Sequence, residues 1–108
     1  MIKIIIKSRC KSHQGTDFVS LTVSGHANSA PHGEDLVCAA VSGIVLGGIN
    51  AFDEGDIVIK SDEKSGEIII ERGSRFNEHD YVVIETIVKQ LEAVARDNAK
   101  FIKIEHIS

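Results

Sequence analysis

Cysteine is scarce in this chain: Cys10 and Cys38 are all that 108 residues contain. Two thiols exclude the disulfide framework on which small secreted domains rely. Long apolar runs are missing as well. The uncharged stretch Leu36–Phe52 has 17 residues, short of the roughly 20 that a membrane span needs. It carries Ser42 and Asn50 and is flanked by Glu34, Asp35, Asp53 and Glu54, so a buried soluble helix is the better reading. Met1–Lys7 is too short and too strand-like for a signal peptide. No membrane association is expected, and the implied location is cytoplasmic.

Basic charge is also in deficit. Twelve Lys and Arg stand against 16 Asp and Glu, giving a formal net charge of -4. Neutralising phosphates needs concentrated Lys and Arg, so no direct nucleic-acid partner is expected. A mildly acidic surface instead favours encounter with a basic one. Hydrophobic residues make up 43% and charged residues 26%, and no repeat, linker or low-complexity segment appears. One globular domain over residues 1–108 is expected.

What is present is β-branched residues in short runs and two helical patterns. Residues 2–7 read as a first strand. Phe18–Ser24 reads as a second, because Val19, Leu21 and Val23 alternate with Ser20, Thr22 and Ser24. The polar segment Ser8–Asp17 between them is expected to be a turn. A helix from about Asp35 to Phe52 follows, then a hairpin of Asp56–Ser61 and Gly66–Arg72, rich in isoleucine. Asn77 has the character of an N-cap, with Glu78 and Asp80 in the first turn of a second helix. Tyr81, Ile84, Leu91 and Val94 recur there at helical spacing, and Phe101–Ile107 gives a last strand. The order ββαββαβ predicts an α+β single-domain sandwich, with a mixed sheet of about five strands and two helices.

The chemistry concentrates where the second strand meets the first helix. Gly25-His26-Ala27 closes the strand, and Cys38 lies twelve residues beyond His26. The loop 25–34, bounded by Gly25 and Gly33, has no large apolar anchor and suits a lid ordered by substrate. With Asp35 as N-cap, Cys38 falls in the first helical turn, where free N–H groups and the helix dipole favour a thiolate. The Asp35 charge opposes that effect, so His26 is wanted as base or imidazolium partner. First-turn amides there are candidate oxyanion donors. Ser42, one turn on, shares the face of Cys38.

Blander readings fit the same residues. Cys38 serves equally as a small core residue, Asp35 as a structural cap, and Ser42 as a helix serine bonded back to a carbonyl. His26, His32 and Cys38 are separated by five residues each, unlike the short-gap pairs of zinc sites, so no metal and no cofactor is expected. Cys10 lies among Lys7, Ser8, Arg9, Lys11 and Ser12 in the expected turn, with no base placed to use it. His13, His79 and His106 claim no role. Gly43, Gly47 and Gly48, with Ala39 and Ala40, make the first helix small-faced. Each glycine costs about 1 kcal/mol relative to alanine, which predicts compensation by a closely packed backbone, from the sheet or from a partner subunit.

The run Gly25-His26-Ala27, followed by Gly33-Glu34-Asp35-Leu36-Val37-Cys38-Ala39-Ala40-Val41-Ser42, resembles the signature of the Prp family, the ribosomal-processing cysteine proteases. The resemblance extends along nearly the whole chain and implies a single cysteine protease domain. Its members are homodimeric endopeptidases that remove a short N-terminal extension from the large-subunit ribosomal protein numbered twenty-seven, cutting after an apolar, aromatic-ended sequence. It implies Cys38 as nucleophile and His26 as general base, with Asp35 and Ser42 in support. It also implies a ribosomal protein precursor as substrate and a second copy of the chain as partner. Ala30-Pro31-His32 departs from the family's usual residues. The rival from another class is a non-catalytic ribosome-associated assembly or interaction module.

Overall fold

The computed structural model describes residues 1–11, 15–25, 32–62 and 64–108. Strands β1 (Ile2–Lys11) and β2 (Gly15–Ser24) form a long antiparallel pair. Helix α1 (His32–Ile49) follows, then the hairpin β3 (Ile57–Asp62) and β4 (Glu67–Arg72), helix α2 (Glu78–Asp97) and strand β5 (Ile102–Ile107). The five-stranded sheet has the order β3-β4-β2-β1-β5. It is mixed, since β5 runs parallel to β1 and all other neighbours are antiparallel.

Alternation sets the two faces of the sheet. Ile2, Ile4 and Ile6 on β1 are buried, while Lys3 and Lys7 are exposed. Register carries that pattern sideways: Ile6 opposes Leu21, which opposes Ile70. Both helices cover this face through Val37, Val41 and Val45 of α1 and Ile84, Ile87 and Leu91 of α2. The opposite face is left to solvent and carries the ion pairs Lys60–Glu71 (2.8 Å) and Lys103–Glu105 (3.1 Å). One covered and one wet face is the usual solution for a sheet with antiparallel neighbours.

The α2 start agrees with expectation. Asn77 caps it, its side chain accepting from the His79 N–H at 3.0 Å while Asp80 accepts from the Asn77 N–H at 2.9 Å. Other boundaries differ. The segment Ser8–Asp17 is mostly strand rather than turn, so Cys10 lies on β1 opposite Thr16. A bulge between Lys7 and Ser8 lets the pair continue beyond the apolar run.

Helix α1 begins at His32, three residues before the expected Asp35 cap. The glycine at 33 marks no boundary, because its cost of about 1 kcal/mol is small beside the burial of three valines. At its other end α1 stops at Ile49 rather than Phe52. There Asn50, Ala51 and Phe52 donate to carbonyls three residues back, at 3.0–3.3 Å, the tightened closing turn of a helix. The expected compensation for the small-faced helix is found at Gly48. A Cβ there would fall 2.5 Å from Cγ1 of Ile87, so this glycine lets α2 approach. Gly43 and Gly47 face open space.

One polar cluster joins residues far apart in the sequence. Asp17, 1% exposed, accepts hydrogen bonds from the Tyr81 hydroxyl and from Nη1 of Arg72, and Arg9 Nη2 lies 3.3 Å away. Arg72 in turn sits over the rings of Phe76 and Tyr81. This ties the far end of β2 to β4 and to the first turn of α2.

Candidate active site

Residues 38, 41, 42 and 45 share one flank of α1, as the spacing i, i+3, i+4, i+7 requires. Val41 and Val45 are buried and fix that flank against the sheet. Cys38 is half-buried and Ser42 is exposed. Opposite them stand Ile2 of β1, Val23 of β2 and Ile68 of β4, with Gly25 and Gly66 at the rim. Together these nine residues enclose a cleft of about 130 Å³. Its walls are aliphatic, and the thiol of Cys38 and hydroxyl of Ser42 are the polar side-chain groups among them.

Gly25 shapes the rim where β2 ends. Its φ of +99° lies in the region that L side chains avoid, and a Cβ would collide with the carbonyl oxygen of Met1. Because that obstacle is backbone, tied by the bond from Ile2 N–H to Phe101 O at 2.8 Å, it has little room to yield. Gly25→Ala is therefore expected to redirect the chain as it leaves β2. Displacement of a catalytic group by about 1 Å can cost about 100-fold in rate, so kcat should fall by about 10- to 100-fold. Steady-state kinetics on the purified variant check this, with a melting curve to show that the fold persists.

Cys38 and Ser42 come together in the cleft, and Gly25 borders it. His26 and residues 27–31 lie outside the described residues, and so does the Asp35 side chain. Gly33 belongs to α1 rather than to the loop, so the expected loop 25–34 ends earlier. Cys38 is the seventh residue of α1 and stands in its second turn. Its amide is thus inside the intrahelical ladder, and the dipole effect fades beyond the first turn. Asp35 therefore lies within α1 rather than at its N-cap, and the amides around Cys38 are not the first-turn oxyanion donors expected of them. Ile2, Val23, Gly66 and Ile68 carry no local signal of a site, since only the order β4-β2-β1 brings them to Cys38.

No helix among the described residues is long and apolar enough to cross a membrane. Cys10 is exposed, and His79 and His106 are exposed too.

The thiol of Cys38 thus opens into an aliphatic cleft between a helix and the five-stranded mixed sheet of a small α+β domain. Residues 1–103 match the family described as "Cysteine protease Prp", and the chain belongs to that family. It is similar to the ribosomal processing cysteine protease Prp of Mycoplasma pneumoniae, with 33% identity over 85 residues, 79% of this chain and 84% of the relative. A second relative of that name, from Bacillus subtilis, is 40% identical over 47 residues, 44% of this chain and 42% of its own. Among solved structures, the ribosomal processing protease Prp from S. aureus in complex with a substrate peptide superimposes with a TM-score of 0.85. It shares 21% identity and covers 98% of this chain and 99% of its own.

Proposed function

We propose that the chain is a cysteine endopeptidase that removes the N-terminal extension of the large-subunit ribosomal protein numbered twenty-seven. The observation that carries this reading is the placement of Cys38 and Ser42 in one aliphatic cleft with Gly25, the residue bonded directly to His26. The relatives' common name, ribosomal processing cysteine protease, supports the substrate class. So does a second S. aureus structure, described with a covalently linked product peptide.

In the proposed reaction His26 takes the thiol proton as the Cys38 sulfur adds to the scissile carbonyl. The proton passes to the departing amine as the C–N bond breaks, leaving a thioester on Cys38. Water then hydrolyses the thioester, with His26 as base. Asp35 and Ser42 support the pair, Ser42 as a wall of the same cleft one turn from Cys38. An aliphatic cleft suits an apolar residue at the cleavage position, and an acidic protein suits a basic ribosomal substrate.

Incubation with the extended ribosomal protein tests the reading. Mass spectrometry should show a shortened product and a separate N-terminal peptide. The rival, a non-catalytic ribosome-associated module, requires the precursor to stay intact.

The proposed setting is the cytoplasm, and the proposed assembly is a homodimer. Ala39, Ala40, Gly43 and Gly47 are exposed on α1, with open space beside both glycines and Leu46 nearby, 53% exposed. Sedimentation equilibrium is expected to return the mass of two chains, and Gly43→Arg is expected to return one.

A further inference from the structure

On the sheet side the Cys38 cleft reaches Gly66 and Ile68. Along α1, Ser42 and Val45 of the cleft are followed at helical spacing by Ile49, toward Phe52. Across from them, β3 forms the outer edge of the sheet, with no strand beyond it among the described residues. Its Ser61 opposes Ile68 of the cleft wall, and Ile59 opposes Ile70. Ile59 therefore stands on the helix-covered face, yet it remains 46% exposed. At the far end, Ile49, Phe52, Ile57 and Ile59 line a second depression of about 280 Å³, closed by Asp53, Glu54 and Gly55.

We propose that α1 and the edge strand β3 form the two walls of one trough that holds an extended segment of the polypeptide substrate beyond the cleavage position. The dimensions agree. Cys38 and Ile49 are eleven residues apart on α1, about 16 Å at the helical rise, which an extended chain spans with about five residues. The chemistry agrees as well. An unpaired strand edge offers backbone donors and acceptors to an added strand, with side-chain specificity coming from pockets at alternate positions. The far depression takes an apolar side chain, and Asp53 and Glu54 favour a cationic neighbour. Arg75 packs against Gly55 on the same turn and leaves that end net negative. Lys60, the cation on β3, is turned to the open face and paired with Glu71. The occupant is thus an apolar, cationic segment of the substrate itself, continuous with the residues in the cleft.

The inference takes its direction from the reading of Cys38 as nucleophile, so binding and cleavage are measured separately. Fluorescein-labelled peptides from the ribosomal precursor are titrated against Cys38→Ala protein: a hexamer across the cleavage position, and two dodecamers extended on either side. At least one dodecamer is expected to bind tenfold or more tightly than the hexamer. Ile59→Lys should erase that gain while leaving hexamer affinity unchanged. Val58→Lys should keep it, because Val58 is 47% exposed on the same strand but on the opposite face. Ile59→Thr, which retains a β-branched residue, gives the same comparison should the lysine variant fail to fold. No gain with either dodecamer, or a gain that survives substitution of Ile59, overturns the trough. Failure of wild-type protein to cleave any peptide, with the binding pattern intact, would instead unseat the catalytic reading.

Discussion

Cys38→Ala is expected to lower kcat/KM on the extended precursor by at least about 10⁴-fold, while the melting temperature stays close to that of the parent. Removing the proposed nucleophile removes the covalent route itself, and losses of about 10⁴–10⁶ are typical when one member of such a unit is deleted. The fold should tolerate the change because Cys38 is half-buried at a cleft mouth, so losing its sulfur leaves no sealed cavity. His26→Ala is expected to fall nearly as far, and the double variant no further than either single one. Additive losses in the double variant would mean that the two side chains act independently. Cleavage by Cys38→Ala at the parental rate would show that the sulfur is not the nucleophile.

The second large effect concerns stability. Asp17→Ala leaves Arg72 and the Tyr81 hydroxyl without the carboxylate that joins them. Breaking a buried ion pair typically costs about 3–5 kcal/mol. Arg72 is 28% exposed, so solvent relieves part of that and the low end, about 3 kcal/mol, is expected. For a domain of this size that lowers Tm by roughly 10–20 °C, readable by calorimetry.

The pH dependence carries a matching signature. Burial pushes the Asp17 carboxyl up, but Tyr81, Arg72 and Arg9 together outweigh it and hold it below the ordinary carboxylate value. The stability it contributes is therefore full above the unfolded value and is lost as pH falls through the lowered one. Asp56 runs the other way, raised by burial and by the neighbouring Asp80. Its contribution is full below the ordinary aspartate value and declines as pH rises through the raised one. Asp17→Ala should flatten the acid limb of the stability profile, and Asp56→Asn should flatten the fall at higher pH. An acid limb unchanged in Asp17→Ala would dissociate this carboxylate from the fold's acid sensitivity.

Much of this architecture is legible in short stretches of sequence. The isoleucine-rich run Ile2–Lys7 announces the strand β1, and Asn77 with Asp80 announces the start of α2. Cys38 and Ser42 are separated by one helical turn, so their shared face is fixed by geometry alone. Elements that depend on distant partners are not legible. Residues 8–11 and 15–17 look polar enough for a turn, yet they extend the strands because backbone pairing and the buried Asp17 compensate for their polarity. The start of α1 is hidden because Gly33 and two acidic residues mimic a boundary. The walls of the cleft come from three strands whose adjacency arises only when β4 docks on β2. The parallel pairing of β5 with β1 likewise depends on the crossover through α2.

The proposed reaction requires a sulfur made nucleophilic by its surroundings, and Cys10 provides an internal reference for it. Labelling with iodoacetamide at neutral pH, followed by peptide mapping, compares both thiols in one experiment. Cys38, though less exposed than Cys10, is expected to react at least tenfold faster, with the advantage lost in His26→Ala. Equal labelling of the two cysteines, or an advantage at Cys38 that survives removal of the imidazole, would contradict it.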